Sequence, residues 1–209
     1  MLVLKIFKKY FFAILTIFSS FLSANEEKKE RFEKLTHPYF ECKLGYFAFS
    51  GRTMREIYDQ GGIDVQMSTT FPFGKKVHLY TSLEYLEKQG SSLFTHEPTK
   101  VFMLPFSFGI KAIYELPHRI QCYYSLGPKV FLIHQHNFTQ HVNKKITDGG
   151  GGGFVNVGLN FFIYKNSFFD FFAEYSILWT KHQTNRPLVY ERSIQVGGYT
   201  FGGSVGVKF

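Results

Sequence analysis

From Tyr39 onward apolar and polar residues alternate with a period of two, the pattern of strands that bury one face and show the other to a different medium. The alternation predicts eight strands, over residues 39–50, 62–72, 76–87, 100–115, 119–133, 153–164, 168–181 and 196–209. No stretch after Pro38 keeps helical spacing, so the chain reads as all-β.

One face of each predicted strand is largely apolar. In the fourth it is Phe102, Leu104, Phe106, Phe108, Ile110, Ala112 and Tyr114; in the sixth it is Val155, Val157, Leu159, Phe161 and Ile163. Of the roughly forty-six positions that make up the middles of these faces, such as Val77 to Tyr85 in the third strand and Phe102 to Tyr114 in the fourth, none is charged, although 19% of the chain is Asp, Glu, Lys or Arg. The facing set is mostly Gly, Ser, Asn and Thr with a few ions. A soluble sandwich would turn a charge-rich face to water, whereas small polar residues suit the inside of a narrow barrel whose outside meets lipid.

The connections alternate in length. "PFGK", "ELPHR" and "KNS" are tight turns, whereas "GRTMREIYDQG", "KQGSSLFTHEPT", "HQHNFTQHVNKKITDGGGG" and "HQTNRPLVYERSI" are long. Segregated turns and loops predict an eight-stranded antiparallel up-and-down transmembrane β-barrel, with short periplasmic turns and long extracellular loops.

Nine charged residues share the inward parity: Glu41, Lys43, Asp64, Glu84, Lys111, Lys129, Asp170, Glu174 and Lys208. Charges inside so narrow a barrel persist only when paired, because an isolated buried ion costs several kcal/mol. They predict a salt-bridged, plugged lumen, in which Asp170 and Glu174 are counter-ions to lysines and not a catalytic carboxylate pair.

Composition adds an address. Lys5, Lys8 and Lys9 precede an apolar run from Tyr10 to Phe21 and small residues up to Ala24, the layout of a cleaved signal peptide over residues 1–24. Residues 25–38 form a charged linker or short helix, and the barrel occupies 39–209. Losing the leader's three lysines lowers the net charge from +8 to +5, with the basic residues scattered, which excludes a nucleic-acid partner. Cys42 and Cys122 are too few and too far apart for a disulfide framework and read as small apolar fillers.

Candidate chemistry is sparse. His78 and Ser82 share a strand face with Glu84, and His182 lies beyond Glu174 in strand parity, but neither forms a triad. His134 and His136, two apart at a strand rim with His141 and Asp148 further on, are weak metal candidates. Gly149 to Gly153 lacks the Lys-Ser/Thr of a phosphate loop and reads as a flexible joint before the sixth strand. Tyr46, Tyr85, Tyr114, Tyr175, Trp179 and Tyr199 suit interfacial anchoring on the lipid face. No motif implies a cofactor.

On these residues the chain resembles the small eight-stranded outer-membrane β-barrel proteins of Gram-negative bacteria, over residues 39–209. The closing "GYTFGGSVGVKF" resembles the strand by which barrel assembly machinery recognises such proteins. That resemblance implies Tyr199, Phe201, Val205, Val207 and Phe209 as recognition residues, with Gly203 where a bulkier residue is usual. It further implies export to the bacterial outer membrane as a monomer, contact with outer-membrane lipid and lipopolysaccharide, and an extracellular ligand still to be identified. A structural or surface-interaction role through the outer loops is expected. The alternatives are a lipid A-modifying enzyme, acyl hydrolase or transferase, and a narrow small-solute channel.

Overall fold

The computed structural model of the 209-residue chain describes residues 38–58, 61–73, 76–91, 98–137, 145–181 and 193–209. All lie in the unit His37–Phe209; the leader and nearly all of the charged linker lie outside the described residues. The elements are β1 (Tyr39–Phe49), α1 (Arg52–Tyr58), β2 (Gly61–Pro72), β3 (Val77–Ser91), β4 (Pro98–Leu116) and β5 (Ile120–Asn137). There follow β6 (Lys145–Phe162), β7 (Ser167–Lys181), β8 (Ser193–Gln195) and β9 (Gly198–Lys208).

From β1 to β7 each strand pairs antiparallel with the next, β8 pairs with β7, and β9 pairs with both β7 and β1, closing the sheet. Because β8 continues β9 across a break at Val196 and Gly197, the barrel has eight staves. The break stays tied in: Val196 N–H donates to Leu178 O at 2.9 Å and Ser50 N–H to Gly197 O at 3.0 Å.

Register sets the barrel's width. From Phe71 the partners run Leu79, Ile110, Leu126, Val155, Tyr175, Tyr199, Ala48 and Gly61, so one circuit returns to β2 ten residues from its start. Eight staves with that shear tilt by about 40° around a mean radius of about 8 Å. Such an interior is just wide enough for side chains to fill it.

Exposure follows the predicted parity. Leu44, Ile63, Met67, Phe108, Leu126, Val155, Phe171 and Phe201 are exposed, whereas Glu41, Lys43, Asp64, Lys111, Lys129 and Asp170 are at most 2% exposed. An apolar belt around an interior that holds the buried ions requires a lipid surround, and the exterior pair Glu87 and Lys100, 2.6 Å apart, sits at its long-loop edge. Phe73, His118, Lys165 and both ends of the barrel chain, Pro38 and Phe209, lie at the short-turn end. The 11–12-residue β1 and β2 match the span of a bilayer, whereas the 18–19-residue β4 to β6 rise about 12 Å further at the long-loop end.

Two expectations are corrected. The first long connection contains α1, where Arg55 N–H bonds back to Gly51 O at 3.1 Å and Met54 and Tyr58 are buried together one turn apart. Two turns do not hold as a helix in isolation; packing against the barrel mouth stabilises this one. Gly149 to Gly153 is not a flexible joint but an integral part of β6, paired on one side with Pro128 to Leu132 of β5 and, from Gly150 on, on the other with Ile177 to Thr180 of β7. Flanking strands supply the ladder bonds that fix glycines whose own preferences would leave them loose.

Candidate functional site

The alternation that points apolar residues at lipid places the opposite set in one column inside the barrel, and there the ions sort into two groups. In the lower group Glu41 receives Lys111 Nζ at 2.6 Å, Lys43 Nζ at 3.0 Å and the Ser68 hydroxyl at 2.9 Å. Lys43 also stands 3.8 Å from Asp170, whose carboxylate accepts from Tyr123 at 2.9 Å and Ser204 at 3.2 Å. The rings of Phe172 and Tyr123 lie 4.7 Å from Lys43 Nζ and 3.9 Å from Lys111 Nζ, so each ammonium also has an aromatic face.

In the upper group Lys129 bridges Glu84, at 2.7 Å, and Glu174. Ser82 and Ser107 donate to Glu84 and Asn156 to Glu174, each at 3.3 Å, and Gln66 donates to Asp64 at 2.6 Å. Eight of the nine inward charges thus line the lumen wall within these two groups. Lys208 stands apart at the inner rim, its ammonium 5.5 Å from the Tyr39 ring centre.

Sequence reasoning missed the layers above and below the ions. Towards the short turns Tyr39, Ile113, Tyr123, Phe168 and Phe172 pack together; towards the long loops Phe47, Phe49, Leu86, Met103, Phe131 and Leu178 do so, roofed by Met54 and Tyr58 of α1. The signal lay in aromatic residues sharing the inward parity with glycines. A Cβ on Gly158 would overlap the Tyr123 ring, one on Gly206 the Phe168 ring, and one on Gly150 would come within 2.6 Å of Phe131 Cζ. Absent side chains on one stave make room for rings from the next. Gly90 does the same for α1, since a Cβ there would overlap Ile57 O.

The other candidate residues are spread out. His78 is buried near the inner end beside Tyr39, with ring centroids 6.3 Å apart, while Ser82 donates to Glu84 higher up; the geometry brings no nucleophile and base together there. At the outer rim His134 Nδ1 lies 2.7 Å from Thr147 Oγ1, and His136 sits two residues on along β5. Asp148 has the opposite parity, opposite Ile133, and no group of three metal-ligating side chains occurs among the described residues. His141 and His182 lie outside the described residues. Cys42 and Cys122 are unbridged thiols on different staves. On α1 the Glu56 carboxylate, hydrogen-bonded to Arg52 at 2.7 Å, holds the guanidinium above its ordinary range.

Tyr199, Phe201, Val205, Val207 and Phe209 all point outward from β9, with Phe201 and Phe209 60% and 64% exposed. Tyr46, Tyr85, Tyr114, Trp179 and Tyr199 are exposed on the lipid face, and Tyr175 packs on Tyr199 with ring centroids 4.6 Å apart.

No family model and no curated protein sequence matches the chain. Solved structures of the same fold do. OprG of Pseudomonas aeruginosa is 11% identical with a TM-score of 0.66, covering 84% of this chain and 97% of that one. Outer membrane protein W of E. coli is 12% identical with a TM-score of 0.53, covering 84% and 98%. Ail, the attachment invasion locus protein of Yersinia pestis, in complex with the heparin analogue sucrose octasulfate, is 10% identical with a TM-score of 0.53, covering 82% and 99%. The chain has the fold of the small eight-stranded outer-membrane β-barrels.

Proposed function

We propose that this protein resides in the bacterial outer membrane, where its filled barrel is a stable platform and its four long connections are the working surface. The observation that carries this reading is the layering of the lumen: a ring-packed floor, two bonded ion groups and an apolar roof topped by α1. A chain selected to pass solutes would leave an open polar column, whereas here side chains occupy each level of the cross-section. The staves β4 to β6 rise beyond the bilayer span at the long-loop end.

Attachment is the surface role we favour. Basic residues dominate the connections at residues 138–144 and 182–192, with Lys144, Arg186 and Arg192 against the single acid Glu191. The fold is shared with Ail, whose complex with a heparin analogue makes a sulfated polysaccharide the natural first probe. Vesicles carrying the protein are expected to adhere to immobilised heparin in a salt-sensitive way and to lose most adhesion when residues 138–144 and 182–192 are replaced by short Gly-Ser turns. Equal adhesion by the loop-trimmed protein would overturn the loops as the working surface.

A further inference from the structure

The inner mouth of the barrel holds a feature that neither the lumen nor the loops use. A cavity of about 320 Å³ opens there between the β4–β5 turn, the β6–β7 turn and the end of β9. Arg119, Lys165 and Lys208 line it against a single acid, Glu115. Backbone bonds bring the cations together: Lys208 N–H donates to Asn166 O at 2.7 Å, and Phe162 N–H donates to Arg119 O at 3.1 Å. Arg119 and His118 hold the tight turn with φ near +60°, a conformation that non-glycine residues take only when the surroundings impose it.

The floor is polar and unfinished. Gln121 faces Glu115 across the β4–β5 ladder and Asn160 across the β5–β6 ladder. Both amides are buried, at 7% and 0% exposed, yet Gln121 Oε1 and both side-chain polar atoms of Asn160 have no hydrogen-bond partner among the described residues. Buried amides are normally satisfied, and an unfilled set beside a charged cavity points to a ligand or ordered water. The walls are apolar on the side towards the membrane, where Leu116 and Tyr164 are exposed.

We propose that this mouth binds a phosphoethanolamine-type zwitterion. The phosphate would meet Arg119, Lys165 and Lys208, which supply the charge and the fork geometry that phosphate oxygens accept. The ammonium would meet Glu115 and the amide oxygen of Gln121. Glu115, Gln121 and Arg119 line the cavity from the β4–β5 hairpin and Lys165 and Lys208 from the β6–β7 turn and β9, and a lining that carries both signs with an open carbonyl matches a zwitterion better than a simple anion. The position at the lipid boundary allows the group to arrive as a phospholipid head or as a free small molecule.

The test uses the full-length protein in a maltoside detergent, with binding followed by native mass spectrometry and by ³¹P line broadening. Three probes are titrated: soluble phosphoethanolamine, phosphatidylethanolamine and phosphatidylglycerol. Saturable binding of the two ethanolamine probes, or of the lipid alone, supports the proposal and separates a free from a membrane source. K165Q/K208Q should weaken that binding about tenfold or more, and Glu115→Gln should abolish the preference for ethanolamine over glycerol heads. Glu115 and Lys165 are exposed and Lys208 is half-buried, and retention of the heat-modifiable gel shift verifies the fold of each variant. Absence of saturable binding, equal affinity of the unaltered protein for phosphatidylglycerol, or binding unchanged in the folded variants would overturn it. The outcome is independent of whether the outer loops adhere to anything.

Discussion

Lys129 shows how tightly individual residues are coupled in this interior. It is shared by Glu84 and Glu174, and all three are buried. Lys129→Met leaves two carboxylates without their cation, a loss of about 3–5 kcal/mol for a buried pair deprived of one member. Combining it with Glu84→Gln and Glu174→Gln should restore most of that stability, since the desolvation cost leaves with the charges. Urea unfolding in lipid vesicles, followed by tryptophan fluorescence from Trp179, measures both variants; additive losses in the triple variant would contradict the network. The glycines make a second prediction. Gly158→Leu forces the Tyr123 ring off its seat and should cost about 1–3 kcal/mol, whereas Gly153→Ala, where a Cβ has nothing nearer than Gly127 O at 3.5 Å, should change stability by about 0.5 kcal/mol or less. The same unfolding curves decide it.

Among the elements, strand parity was readable and strand context was not. Period-two alternation located all eight staves and the lipid face of each, because a one-residue slip would put Lys43 or Glu84 into lipid and no competing register exists. Its failures have physical causes. Met54, Ile57 and Tyr58 of α1 do keep helical spacing, but two turns carry too little local signal, and the helix forms on an apolar mouth that the sequence displays only after folding. The glycine run in β6 has no strand propensity of its own, and its long partners β5 and β7 impose the conformation. Of the lumen, the ions were legible from their parity, while the aromatic layers were hidden because ring-over-glycine packing joins residues distant in sequence. The lipid face yields a depth-dependent prediction. Phe108→Arg, near the middle of the belt, should cost about 2–4 kcal/mol, and Leu132→Arg, near the outer edge, about 1 kcal/mol or less. Vesicle unfolding measures the pair; equal costs would contradict the assigned bilayer position.

At the scale of the whole molecule, register, lumen filling and loop length combine into one account. Eight staves with a ten-residue shear leave room only for side chains, and those side chains bond to one another in two ionic groups between two apolar layers. The proposed roles therefore lie at the two ends, with the long connections beyond β4 to β6 at one and a charged cavity at the other. Low identity to solved barrels of the same architecture accords with this division, because a barrel constrains face polarity far more than residue identity. The filled lumen is the claim on which the rest depends, and single-channel recording of the purified protein in planar bilayers tests it most directly. The account predicts a silent bilayer at every applied voltage, despite incorporation verified by the heat-modifiable gel shift. Resolved, repeatable open-channel steps from the unaltered protein would contradict it.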